Sequence, residues 1–203
     1  MEDLVKVRKK DLKLAAETLA LAFMNDPLAK EIFKEETTRL ASLREYFRFR
    51  INYGIKYGQV YATSNKIEGV AVWLPSETAH VSFWRGFLSG GMRLYNKLGI
   101  SKVNEFDEVN HYTTKLRDAV IEPPYLQLSP IGVIPKEQGK GLGTKLLKPM
   151  MKRLDEINLK CFLETQEERN LAYYERFGFE ITKETRLPGL NLRNWVMIRE
   201  PQQ

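Results

Sequence analysis

The chain has 203 residues, 43% hydrophobic and 29% charged, with a formal net charge of +6 and a pI near 9.3. A chain of this length closes one core, so a single domain over residues 1–203 is expected, and the composition excludes a disordered or fibrous protein. The basic excess favours an anionic partner without choosing among nucleic acid, membrane surface and polyphosphate cofactor.

One cysteine, Cys161, rules out an internal disulfide framework, and two histidines, His80 and His111, are too few for a structural zinc site, so no metal is expected. The N-terminus mixes charges throughout, and no run of about 18 apolar residues occurs. A cytoplasmic protein that does not enter a membrane is expected.

In chain order, Leu4 to Arg8 has the composition of a short strand. From Asp11 to Phe23 the residues Leu12, Ala15, Ala16, Leu19, Ala22 and Phe23 form one helical stripe, and Asn25-Asp26-Pro27 stops it. A second helix is expected from Thr37 to Tyr53. Val60 to Thr63 and Gly69 to Leu74 read as two strands joined by a turn, with Pro75 ending the second. The segment 76–122 is less regular. Its first part, from Phe83 to Gly99, is aromatic and broken by paired glycines, which favours a packed lid or substrate-side helix over a membrane-surface helix. Its second part, from Val103 to Asp118, reads as a charged helix.

The C-terminal half is more regular: strand Tyr125 to Val133, helix Gly141 to about Asn158, strand Lys160 to Thr165, helix Asn170 to Phe177, and strands near Phe179 to Thr182 and Trp195 to Arg199. That is a βαβ unit with further strands. Leu142, Leu146, Leu147, Met150, Met151, Leu154 and Ile157 give the first of these helices an apolar stripe suited to a sheet. Pro149 lies inside it, and its ring would clash with the Lys145 carbonyl, which predicts a kink or local break. Trp73, Trp84 and Trp195 are expected in the core, although Trp84 is also placed to line an acceptor pocket.

The strand end Ile131-Gly132-Val133 runs through a turn rich in glycine and lysine into that helix. The first N–H groups of a helix have no partner within it, and the helix dipole adds positive potential there. Gly139, Gly141 and Gly143 leave room for phosphate oxygens, and Lys136, Lys140 and Lys145 add charge. No Walker string occurs. A dinucleotide fingerprint starting at Gly139 fails at Thr144, where its third glycine is required.

What does occur is Gln138-x-x-Gly141-x-Gly143, the pyrophosphate-loop pattern of the GNAT family of N-acetyltransferases. The later stretch Asn170-x-x-x-Tyr174-Glu-Arg-x-Gly178-Phe resembles the second signature of that family. Likeness to the puromycin N-acetyltransferase branch extends over nearly the whole chain and is weakest from 76 to 122. The resemblance implies a mixed α/β fold: a mainly antiparallel central sheet, flanked by helices and splayed between its fourth and fifth strands, with acetyl-CoA in the splay.

It further implies an acetyl-CoA-dependent enzyme acting on a small-molecule amine by direct transfer, as monomer or homodimer, without nucleic acid or membrane. Ile131, Gly132 and Val133 would meet the pantetheine arm. Gln138, Gly139, Lys140, Gly141, Leu142, Gly143 and Thr144 would hold the pyrophosphate, and Asn170 would touch the cofactor. Tyr174 would be the general acid. Glu164, at the end of the fifth strand, is the candidate base, with His111 a weaker alternative and Cys161 assigned no chemistry. Asn170 also suits a helix N-cap. A protein or peptide amine as acceptor, and a non-catalytic acyl-CoA sensor, are the alternative functions.

Overall fold

The computed structural model describes residues 3–202; Met1, Glu2 and Gln203 of the expected 1–203 span lie outside the described residues. The elements run β1 (Val5–Lys6), α1 (Leu12–Ala22), α2 (Pro27–Ile32), α3 (Glu36–Tyr57), β2 (Gln59–Ala62), β3 (Gly69–Pro75), α4 (Ser76–Ala79), α5 (Phe83–Leu88), α6 (Gly91–Leu98), α7 (Ile100–Asp118), β4 (Tyr125–Val133), α8 (Leu142–Glu156), β5 (Lys160–Thr165), α9 (Leu171–Glu175), β6 (Glu180–Arg186) and β7 (Arg193–Arg199). The strands form one seven-stranded sheet in the order β1-β2-β3-β4-β5-β7-β6. Every pair is antiparallel except β4–β5.

The sheet separates two apolar clusters. On one face, Leu12, Ala15, Ala16 and Leu19 of α1 pack with Leu43, Phe47 and Ile51 of α3, and with Phe162 and Val196 from the sheet. On the other, Leu146, Leu147, Met150, Met151 and Leu154 of α8 pack with Trp73, Leu128, Cys161, Leu163, Tyr174 and Met197. Alternation along β5 therefore directs Phe162 and Glu164 to the first face and Cys161 and Leu163 to the second.

Three expectations need correction. The Asn25-Asp26-Pro27 stop also starts a helix: the Asp26 carboxylate accepts the Ala29 N–H at 3.0 Å, and Pro27 occupies a first-turn position where a missing N–H costs nothing. Pro149 does not break α8, which continues from Leu142 to Glu156. Its buried stripe on the sheet outweighs the loss of one main-chain hydrogen bond. The aromatic piece packs through α6 and not through its aromatic residues: Leu94 and Ser89 are buried and the Ser89 carbonyl accepts from Asn52 of α3, but α5 buries none of its residues, and Phe83 and Trp84 are 77% and 70% exposed. Trp84 is thus no core residue, while Trp73 and Trp195 are.

Candidate active site

β4 has nine residues but pairs with β5 only through Tyr125, Leu126 and Gln127, opposite Lys160, Cys161 and Phe162. Beyond Gln127 the two strands diverge, and the rest of β4 has an open edge. Its other edge stays on β3, with one irregularity: three steps along β4, from Leu128 to Ile131, match two along β3, from Trp73 to Ala71. The bulge contains Pro130, which has no N–H to give a neighbouring strand and is tolerated where pairing lapses.

The orientation of the open edge follows from one bond. Ile134 N–H donates to Glu68 on the β3 side at 2.9 Å, so alternation turns the main-chain groups of Ile131 and Val133 into the splay and those of Gly132 toward β3. Gln138 Nε2 donates to the Val133 carbonyl at 2.9 Å, fastening the turn to this edge. Gly132 has a packing role as well. A Cβ there would meet Ala22 Cβ at 2.8 Å, Leu19 Cδ2 at 3.0 Å and Phe23 Cε2 at 3.1 Å, so the end of α1 lies directly on β4 at the splay.

Gly139 and Gly141 have φ of +77° and +79°, the left-handed region that side-chain-bearing residues avoid, with open space where a Cβ would project. The first main-chain bond of α8 runs from Lys145 N–H to Gly141 O, which leaves the preceding N–H groups at its N-terminus free of helical partners. Lys140 is paired with Glu137 at 2.9 Å; Leu142 and Thr144 occupy the first turn. Gly143 has a packing role in addition to the phosphate clearance expected of it. A Cβ on it would come within 2.6 Å of the Tyr173 hydroxyl, so its small size admits the Tyr173 ring. That hydroxyl is buried; among the described residues it makes no hydrogen bond of good geometry, and the Thr144 side chain is close enough to act on it.

Tyr174 is 6% exposed and packs against Tyr173 and Phe179 with ring centroids 5.4 and 5.9 Å away. Burial raises its hydroxyl pKa, with smaller upward contributions from Tyr173, Asp26 and Cys161. Glu164, directed to the opposite face of the sheet, is pushed up to about 8 by burial, against the opposing pull of the Arg117 charge. Arg117 is itself 5% exposed, donating Nη1 to Gln127 at 3.2 Å while its Nε has no hydrogen-bond partner. Two residues further along β4, Ser129 accepts from Arg50 of α3 at 2.8 Å.

Asn170 occupies the N-cap position of α9, but its side chain makes no capping bond; its amide donates weakly to Thr165 Oγ1, 3.4 Å away, at the end of β5. His111 is solvent-exposed on α7. Cys161 is buried, its thiol pushed up to about 12 by desolvation, which suits the core role expected of it. Among the described residues no cluster of His, Cys, Asp and Glu forms a metal site. A surface cavity of about 180 Å³ between α3 and α6, lined by Glu45, Arg48, Phe49 and Arg93 among others, includes none of these residues.

Asp26, which sequence reasoning treated only as a helix stop, proves to be part of this neighbourhood. Its charge acts on Tyr174, and that of Glu167 acts on it. The signal lay in the Asp-Pro pair, an N-cap followed by a first-turn proline, which announces a helix beginning with a partly enclosed carboxylate.

The sequence pattern of the Acetyltransferase (GNAT) family matches residues 92–179, which include the glycine turn, Asn170 and Tyr174. An uncharacterised N-acetyltransferase of Schizosaccharomyces pombe is 29% identical over 208 residues, spanning 97% of this chain and 83% of that protein. The chain is an acetyl-transferring enzyme with a fold of GNAT type. Solved structures agree with this acetyltransferase in fold. One, a histone acetyltransferase HPA2 and related acetyltransferase from Corynebacterium glutamicum, superposes with a TM-score of 0.69 at 20% identity, covering 98% of this chain and 96% of its own. A Brucella melitensis GNAT acetyltransferase in complex with acetyl-CoA superposes with a TM-score of 0.50 at 15% identity over 98% of this chain and 88% of its own.

Proposed function

We propose that this acetyltransferase moves the acetyl group of acetyl-CoA to a primary amine of a small molecule by direct transfer, acting as one domain, on the pattern of the puromycin N-acetyltransferase branch that its sequence resembles. The observation that carries this reading is the continuity of the open β4 edge at Ile131 and Val133 with the left-handed Gly139–Gly141 turn and the free N-terminus of α8. Those features fit an extended ligand with an anionic end. The edge offers main-chain donors and acceptors to an amide-bearing arm, and the turn and helix terminus offer N–H groups and dipole to a pyrophosphate. The buried Tyr173 hydroxyl, beside Gly143 and Thr144, lies at the same junction.

Acetyl-CoA, when bound, supplies an acetyl group activated as a thioester. Residues of the chain supply the rest. Val133 N–H is a donor facing the splay, suited to an oxygen that gains charge. Tyr174 keeps its proton at neutral pH because burial disfavours the phenolate, and it is the group proposed to give that proton to the departing sulfur. Asn170, beside Thr165 at the end of β5, is the group proposed to touch the cofactor. Glu164, raised to about 8, holds a proton through most of the neutral range and serves best as a neutral hydrogen-bonding group there.

The test is coenzyme A thiol release from acetyl-CoA against puromycin, aminoacyl analogues, polyamines and peptides. Turnover with small amines in preference to peptides is expected. Preference for peptides would move the acceptor to proteins. Acetyl-CoA binding by calorimetry with no turnover would favour a sensor, and no binding at all would refute the cofactor reading.

A further inference from the structure

The unused groups near the splay narrow to one. Asp26 lies just past the end of α1, the helix that touches β4 at Gly132, and it opens α2. One carboxylate oxygen, Oδ1, accepts the Ala29 N–H at 3.0 Å, with the Leu28 N–H close enough to act on the group as well. Among the described residues no lysine or arginine forms an ion pair with it, and the side chain keeps partial contact with solvent. The Asp26 N–H donates to the Phe23 carbonyl at 3.0 Å, and the Phe23 ring lies against Gly132 at the splay, which sets this carboxylate beside the open stretch of β4; its charge acts on the Tyr174 hydroxyl. A largely buried carboxylate with a spare oxygen and no ion-pair partner among the described residues, beside the open β4 edge and within electrostatic reach of the proposed acid, is a place made for a cationic ligand group.

We propose that Asp26 binds the ammonium group of the acceptor and takes its proton. The inference rests on the acetyl-transfer reading and names the acceptor class, an amine that arrives protonated. The proton balance closes without a further reactant. The ammonium gives one N–H proton to Asp26, which passes it to water. The neutral nitrogen then forms the N–C bond as the C–S bond breaks. The sulfur takes the Tyr174 proton, and the second proton lost by nitrogen restores Tyr174.

The groups that bear on Asp26 support the assignment. Enclosure pushes it up to about 6; the Ala29 and Leu28 N–H groups and Lys30 of α2 lower it, while Glu167, in the turn before α9, raises it. At pH 7 it is therefore mostly ionised and ready to accept, whereas Glu164 is mostly protonated.

Asp26→Asn separates chemistry from architecture, because Asn caps a helix as well as Asp does. The variant should melt no lower than the wild type at pH 7.5. With whichever amine of the panel the wild type acetylates, kcat/KM should fall about 100-fold at pH 7. The wild-type acid limb near pH 6 should disappear, and the deficit should shrink as pH rises and the acceptor loses its own proton. Asp26→Asn within threefold of wild type at pH 7, or a deficit constant with pH, overturns the proposal while leaving acetyl transfer intact. A wild type silent across the panel overturns the functional reading and this proposal with it.

Discussion

Removing one oxygen from Tyr174 should separate catalysis from folding. In Tyr174→Phe the ring keeps its contacts with Tyr173 and Phe179, since both lie against the aromatic face or edge. No hydrogen bond to the Tyr174 hydroxyl occurs among the described residues, so the usual net loss of about 0.5–1.5 kcal/mol per bond does not arise. Stability should stay within about 0.5 kcal/mol of wild type. A positioned general acid contributes about 10²-fold or more, and that lower bound corresponds to about 2.7 kcal/mol of the barrier. Thiol release at saturating acetyl-CoA should therefore fall about 100-fold in kcat with little change in KM for the cofactor, while thermal melting is unchanged. A kcat within threefold of wild type would refute the acid role. Loss of activity accompanied by a large fall in melting temperature would show that the hydroxyl serves the fold instead.

Other perturbations test the surrounding framework. Gly141→Ala places a side chain at φ +79°, which costs about 1–2 kcal/mol in backbone strain, and its Cβ projects into the open cradle; calorimetry should show acetyl-CoA binding weakened by tenfold or more. Glu164→Gln should flatten the stability–pH profile. A carboxyl raised to about 8 favours folding most below its unfolded value near 4.5, and that contribution is lost as pH rises through 8, so melting temperatures of the two proteins should diverge across that interval with the variant the more stable at the alkaline end. Arg199 is 2% exposed and bidentate to Asp155 at 2.7 and 2.8 Å, while its Nε holds the Phe177 carbonyl at the end of α9. Asp155→Ala strands that buried charge and should cost about 3–5 kcal/mol, seen as a melting point lower by on the order of 10 °C.

The C-terminal half was legible because its signals are local. β4 and β5 fall on the expected residues, and the apolar stripe of α8 announced the face that packs on the sheet. Pro130 inside an apolar strand was a readable mark of the place where β4 loses its partner. From 76 to 122 the pattern misled: aromatic residues signal a core by default, yet Phe83 and Trp84 face solvent, and α5 buries none of its residues. The motif gave Gly143 a place beside a phosphate, and only the approach of Tyr173 from α9, thirty residues away, adds its packing role.

The sequence by itself determined the periodicities, the two motifs and the positive turn, since each depends on spacing along the chain. Tertiary structure alone decided which groups share a space. Glu164 and Tyr174 are ten residues apart, yet strand alternation and the fold of α9 direct them to opposite faces. Asp26 and Tyr174 are separated by most of the chain, yet the close packing of α1 on Gly132 brings one within electrostatic reach of the other. Burial and neighbouring charge set a carboxylate's pKa, and neither exists until the chain has folded.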